Sequence, residues 1–156
     1  MRYRILFVCL GNICRSPTAE ALLRSIVAEH DLEQMIEVDS AGTGAWHVGE
    51  PPDRRIREAA AQQGYRLTGR ARQVTRQELS SWDMVVAMDR QNLADLGELA
   101  GGQEAPLRLF SEFLPPGSPV DVSDPYYGGE DGFDRVIDLV EEGCANLLEE
   151  LLAEVG

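Results

Sequence analysis

The sequence has no lysine: its fourteen basic residues are all arginine, and they face 27 acids, for a net charge of −13. The arginine bias fits codon usage or thermal adaptation and points to no function. The shortage of positive charge argues against nucleic acid and anionic membranes as general partners, because an acidic surface repels polyanions. Long apolar runs are also missing. None approaches the ~20 residues of a membrane-spanning helix, and the apolar core of "MRYRILFVC" at the N-terminus is too short for a secretory signal and reads as a strand. A cytoplasmic protein is expected. Cysteine is scarce, at three, and histidine scarcer, at two. In a reducing compartment so few thiols read as chemistry or core rather than as a disulfide framework. Cys9 and Cys14 form a Cys-x4-Cys pair, but zinc would need a second ligand pair, and His30 and His47 stand alone. Internal repeats and linkers are lacking as well.

What is present describes one globular domain over residues 1–156, with 44% hydrophobic and 26% charged residues. Four apolar segments rich in β-formers stand out at 5–9, 36–42, 84–89 and 107–110. Amphipathic stretches separate them, at 17–30, near 53–63, near 89–100 and at 131–153. In the last, Phe133, Val136, Ile137, Val140, Cys144, Leu147, Leu148 and Leu151 repeat at helical spacing. Strands alternating with helices predict a doubly wound α/β fold: a parallel sheet covered by helices on both faces, with ligands at the carboxyl ends of the strands. The Gly/Pro-rich segments 41–52 and 114–130 are the expected functional loops. Eleven acids between 121 and 156, against Arg135 alone, read as the solvated face of the last helix.

The stretch "VCLGNICRSP" at 8–17 joins the first strand to the first helix. Gly11 and Asn12 can adopt positive φ, so the loop can curl and aim successive N–H groups inward. Ser16 is a good N-cap and Pro17 suits the first helical position. The loop from Cys9 to Ser16, with Gly11 and Cys14 within it, therefore opens onto a helix N-terminus. Backbone donors, a helix dipole and the Arg15 guanidinium together make an anion cradle. A cysteine in such surroundings is expected to serve as the nucleophile. A thiolate beneath a phosphate-shaped cradle is placed to attack phosphorus.

The second constellation is "DVSDPYYGG" at 121–129. A nucleophile that expels an aryloxide needs a proton donor for the leaving oxygen, and Asp124 can be that donor. Pro125 biases Asp124 away from helix into an extended turn. Tyr126 and Tyr127 then offer walls for a flat ring.

Together these elements resemble the low-molecular-weight protein tyrosine phosphatases over nearly the whole chain. The resemblance rests on "VCLGNICRSPTAE" at 8–20, "DSAGTGAWHVGEPPDRR" at 39–55, "RARQVT" at 70–75, "MDRQNL" at 88–93 and "DPYYGG" at 124–129. It implies a central four-stranded parallel sheet of order 2-1-3-4, with no metal and no cofactor. It implies that Cys9 is phosphorylated by the substrate, that Arg15 binds the phosphoryl group and that Asp124 protonates the phenolate and later activates water. Asn12 and Ser16 match residues that hold the loop and hydrogen-bond the thiolate, and Ser40 matches a serine that supports it from the second strand. Leu10, Ile13, Trp46, Tyr126 and Tyr127 match the walls of an aryl pocket, though Trp46 alone also fits a surface residue. Asp89 fits either a steadying partner for Arg15 or a plain helix cap. One departure is Gly69, where many members carry histidine, so the support behind the loop must differ here.

Phosphotyrosine-containing proteins are the implied partners, and inorganic phosphate, the product, is expected to compete for the same cradle. Thioredoxin-coupled arsenate reductases share fold and cradle but need two further thiols around the third strand, and residues 78–100 hold no cysteine. A non-catalytic phosphoprotein-binding module would be expected to have lost the nucleophile, the arginine or the acid, and all three are here. Relatives acting on phosphoarginine carry threonine at the position of Ile13, where an isoleucine suits an aryl ring. For Cys14 two readings stand: packing beneath the loop, or capture of an oxidised Cys9 as a disulfide, as relatives with the same two cysteines do.

Overall fold

A computed structural model describes residues 2–125 and 131–155. The chain alternates strictly: β1 (Tyr3–Cys9), α1 (Arg15–Glu29), β2 (Ile36–Gly42), α2 (Arg54–Gln62), β3 (Met84–Ala87), α3 (Arg90–Ala100), β4 (Leu107–Leu109) and α4 (Asp131–Val155). Two short 3₁₀ turns, Gln77–Ser81 and Phe110–Phe113, lead into β3 and out of β4. The four strands form one sheet of order β2-β1-β3-β4, parallel throughout, as expected.

Side-chain alternation along the strands sorts the helices onto two faces. Ile5, Phe7 and Cys9 of β1, with Met84 and Val86 of β3, join α1, α2 and α4 in one apolar cluster. Leu6 and Val8, with Val85 and Ala87, meet Leu96 and Ala100 of α3 together with Val74, Leu79 and Trp82 on the other. Because β1 is covered on both sides, its run Ile5–Val8 is wholly buried. Each such side chain contributes about 1.5–3 kcal/mol by leaving water.

Register fixes where the functional loops meet. Cys9 pairs with Gly42 at the ends of β1 and β2, and Val8 pairs with Ala87 at the end of β3. The chain leaves β1 toward β2 on one side and reaches β3 on the other, so the loop after Cys9 sits where strand order reverses. That is the position where open α/β sheets bind ligands. Among the described residues no helix is long and apolar enough to cross a membrane.

Candidate active site

The loop after Cys9 is shaped by what holds its carbonyls. Thr43 N–H donates to the Cys9 carbonyl and Gly44 N–H to that of Leu10, both at 2.9 Å. Asp53 N–H, at the cap of α2, takes the Ile13 carbonyl at 2.7 Å, and Thr18 Oγ1 takes that of Cys14 at 2.7 Å. With four carbonyls tied to the surrounding chain, the N–H groups on the opposite edges of those planar peptides turn toward the inside of the curl. Asn12 supplies the left-handed residue, at φ 57°. Gly11 keeps negative φ, contrary to expectation; its lack of a side chain instead makes room for His47, whose Cδ2 would lie 2.9 Å from a Cβ. Gly42 is likewise required for closeness, since a Cβ there would meet the Leu10 carbonyl at 2.7 Å.

α1 also begins earlier than expected. Its cap is Cys14 and its first residue Arg15, so Ser16 does not cap the helix and Pro17 falls in the first turn. The Ser16 hydroxyl is committed elsewhere. Arg72 N–H donates to Asn12 Oδ1 at 3.0 Å, which fixes the amide orientation. Asn12 Nδ2 then donates to Ser16 Oγ at 2.9 Å and Ser40 Oγ at 3.0 Å. Each hydroxyl has accepted a hydrogen and must send its own onward. Ser40 donates to Glu20 Oε1 at 2.6 Å, and the shortest route for Ser16 is Cys9 Sγ, at 3.0 Å. The network therefore forks at Asn12: one branch ends on Glu20, and the other places the Ser16 hydroxyl against the Cys9 sulfur, with the Ala41 carbonyl farther off at 3.4 Å.

Arg15 is almost completely buried, which costs several kcal/mol for an unpaired ion. Its Nη1 donates to Asp89 Oδ2 at 2.6 Å and to the Val122 carbonyl at 3.0 Å. Burial by itself would lower its pKa; the charges of Cys9, Asp89 and Asp124 outweigh that and hold it raised. Asp89 fills both anticipated roles, because its other oxygen accepts Asn92 N–H at 2.7 Å to cap α3. The segment carrying Asp124 is moored at two points. Asp121 accepts Arg90 N–H at 2.8 Å, and Val122 N–H donates to the Met88 carbonyl at 3.0 Å. Asp124 Oδ2 thereby comes to 3.6 Å from Arg15 Nη2. Arg15 Nε is buried with no hydrogen-bond partner among the described residues.

These groups surround a cleft of about 260 Å³. Cys9, Gly11, Cys14 and Arg15 form its base, Leu10, Ile13 and Trp46 its apolar sides, and Asp124 and His47 its edge. Trp46 is both wall and surface residue: its ring folds over Gly44, yet it remains 74% exposed. Asn12, Ser16, Ser40 and Asp89 lie behind the cleft rather than on it. Tyr126 and Tyr127 lie outside the described residues. Cys14 is buried, and burial, with the charges of Cys9 and Asp124, pushes its thiol well above the ordinary value.

Three participants escaped the reading of the sequence. His47 was considered only as a metal ligand, but its ring lines the cleft and its Nδ1 pairs with Glu50 Oε2. Arg72 acts through its backbone, while Glu78 and Asp39 hold its side chain. Glu20 ends the hydroxyl chain. Its position one helical turn from Ser16 was the available signal.

The family model described as low molecular weight phosphotyrosine protein phosphatase matches residues 4–156. The chain belongs to that family. A low molecular weight protein-tyrosine-phosphatase from Streptomyces coelicolor is 44% identical over 159 residues, covering 99% of this chain and 97% of its own. Among solved structures, a protein tyrosine phosphatase from Entamoeba histolytica aligns with a TM-score of 0.91 at 37% identity, over 98% of this chain and 99% of its own. An arginine phosphatase from drosophila aligns with a TM-score of 0.88 at 31% identity, over 97% and 98%. This low molecular weight phosphatase therefore shares its whole domain with enzymes that cleave phosphoryl groups from more than one kind of residue.

Proposed function

We propose that the protein hydrolyses phosphotyrosine in proteins, and small aryl phosphates, through a phosphocysteine at Cys9. The observation that carries this reading is Arg15. Asp89 and Val122 occupy its Nη1, leaving the buried Nε without a hydrogen-bond partner among the described residues and Nη2 turned toward Asp124. Nε and Nη2 lie on one edge of the guanidinium, the edge that grips two phosphoryl oxygens at once.

In the first step Cys9 Sγ attacks phosphorus and the bond to the phenolic oxygen breaks. Asp124 donates its proton to that oxygen, so a neutral phenol leaves. In the second step the Asp124 carboxylate takes a proton from water. The resulting oxygen attacks phosphorus, the S–P bond breaks, and phosphate is released with Cys9 again a thiolate. The Ser16 hydroxyl stabilises the sulfur anion in the resting state and as the departing group. Inward N–H groups and Arg15 bear the charge on the phosphoryl oxygens. Ile13, buried on the cleft wall, favours an aromatic ring over a guanidinium. Product phosphate competes for the same cradle, and three unpaired cysteines suit the cytoplasm.

Rapid acid quenching during turnover of an aryl phosphate should trap one phosphate on Cys9. Cys9→Ser should fold, bind phosphate and lose activity by about 10⁴-fold or more. Substantial turnover by that variant, or phosphate trapped on another residue, would overturn the assignment.

A further inference from the structure

Leu10 and Trp46 each face two depressions. One is the active-site cleft; the other is a groove of about 360 Å³ whose far side is Val74 with Asp95, Glu98 and Leu99 of α3. The two have opposite electrical character. The cleft ends on the Arg15 guanidinium, whereas none of the residues lining the groove is basic and two are carboxylates. Asp95 accepts one hydrogen bond, from Gln91 at 2.9 Å, and neither Asp95 nor Glu98 forms an ion pair with a described residue. Thr43, on the same wall, has a buried hydroxyl with no hydrogen-bond partner among the described residues.

We propose that this groove receives the polypeptide flanking the phosphotyrosine and selects substrates bearing an arginine or lysine there. The apolar stem of such a residue lies over Val74, Leu99 and Trp46, and its cation meets Asp95 and Glu98. A phosphate dianion approaching a protein of net charge −13 is repelled at long range. A basic neighbour offsets that repulsion and aligns the substrate, with its anion toward Arg15 and its cation toward α3. The inference rests on the phosphotyrosine reading above and concerns only what lies beside the phosphorylated residue.

The test uses phosphotyrosine peptides in which a single arginine is walked through the flanking positions of an otherwise neutral sequence. At its best position the arginine should raise kcat/KM about three- to ten-fold, the scale of one or two exposed ion pairs. The preference should shrink in 0.5 M salt, where such pairs are screened. Asp95→Asn combined with Glu98→Gln should abolish it while leaving p-nitrophenyl phosphate turnover unchanged. A flat arginine scan, or a preference that survives in the double variant, would overturn the groove and leave the phosphatase reading intact. Turnover of aryl phosphate without turnover of any phosphotyrosine peptide would overturn both.

Discussion

Segments 9–16 and 43–50 meet at one cleft but are built in opposite ways. In the first, Cys9, Asn12, Ile13, Cys14, Arg15 and Ser16 are all buried, and each polar side chain has a fixed partner. In the second, Trp46, Val48 and Glu50 are exposed, and the backbone of Thr43 and Gly44 anchors the chain to the loop. The phosphoryl group is the same in every substrate, so its site can be finished during folding and need not reorganise when charge develops. What surrounds the phosphoryl group varies, and the surface that meets it is left open. The organisation of the loop is therefore a property of the fold, and discrimination is a property of the rim.

The strongest test of that division is Asp124, which belongs to neither segment and which we propose acts on the bond between phosphorus and leaving group. Asp124→Asn keeps the shape of the side chain and removes its proton. Loss of general acid catalysis should lower the phosphorylation rate of phenyl phosphate about 10²–10⁴-fold. For p-nitrophenyl phosphate, whose leaving group needs less help, the loss should be much smaller. Phosphate affinity should change little, because Arg15 and the loop are intact. Pre-steady-state burst rates across a leaving-group series would measure this, and an equal loss for every leaving group would assign Asp124 a structural role.

Much of the loop was legible in the sequence because its parts are local. Cys9, Asn12 and Arg15 lie within seven residues, and their spacing alone describes a curl opening onto a helix. The strands were equally legible, since burial on both faces makes Ile5–Val8 a continuous apolar run. Ser16 contacts the Cys9 sulfur as its match implied, but its reading as a helix cap failed for an instructive reason. A serine before a proline at a helix start satisfies the rule for a cap, but here the hydroxyl competes for the sulfur and the helix simply begins two residues earlier. His47 and Arg72 could not be placed because their parts depend on contacts across 36 and 60 residues, which no local pattern encodes. The 3₁₀ turns at Gln77–Ser81 and Phe110–Phe113 are too short to show a period.

Ile13 tests the other side of the comparison, because it is a buried loop residue that also lines an apolar side of the cleft, where we propose the variable part of the substrate lies. Ile13→Thr removes apolar contact with an aryl ring and adds a hydroxyl that a guanidinium can use. Activity toward phosphotyrosine should fall about ten-fold, the scale of losing a methyl or two from an apolar pocket. Activity toward phosphoarginine should rise. The ratio of the two kcat/KM values is the measurement. If it does not move, selection between the two residues lies elsewhere on the rim.

The smallest effect is expected at the back of the loop, where Gly69 leaves open space at φ 88°. Behind the loop, Glu20 receives the Ser40 hydroxyl at 2.6 Å and pairs with Arg24 at 2.8 Å. Glu20→Gln keeps an acceptor for Ser40 and removes the charge, so kcat should drop only about two- to five-fold, the scale of weakening one hydrogen bond. The variant has a second, independent signature. Burial raises the Glu20 pKa above the ordinary glutamate value, and the Ser40 bond and Arg24 charge only partly oppose it. A raised folded value means that the native state favours the protonated carboxyl. The stability this contributes is complete below the unfolded value, near 4.5, and is lost as pH rises through the folded value. Glutamine does not titrate. The Tm of the parent should therefore decline relative to that of Glu20→Gln as pH is raised from about 4 toward neutrality. A parent that instead gains on the variant over that interval would mean that Arg24 and Ser40 outweigh burial, and that the loop is braced by a full carboxylate rather than by a carboxyl held in reluctant ionisation.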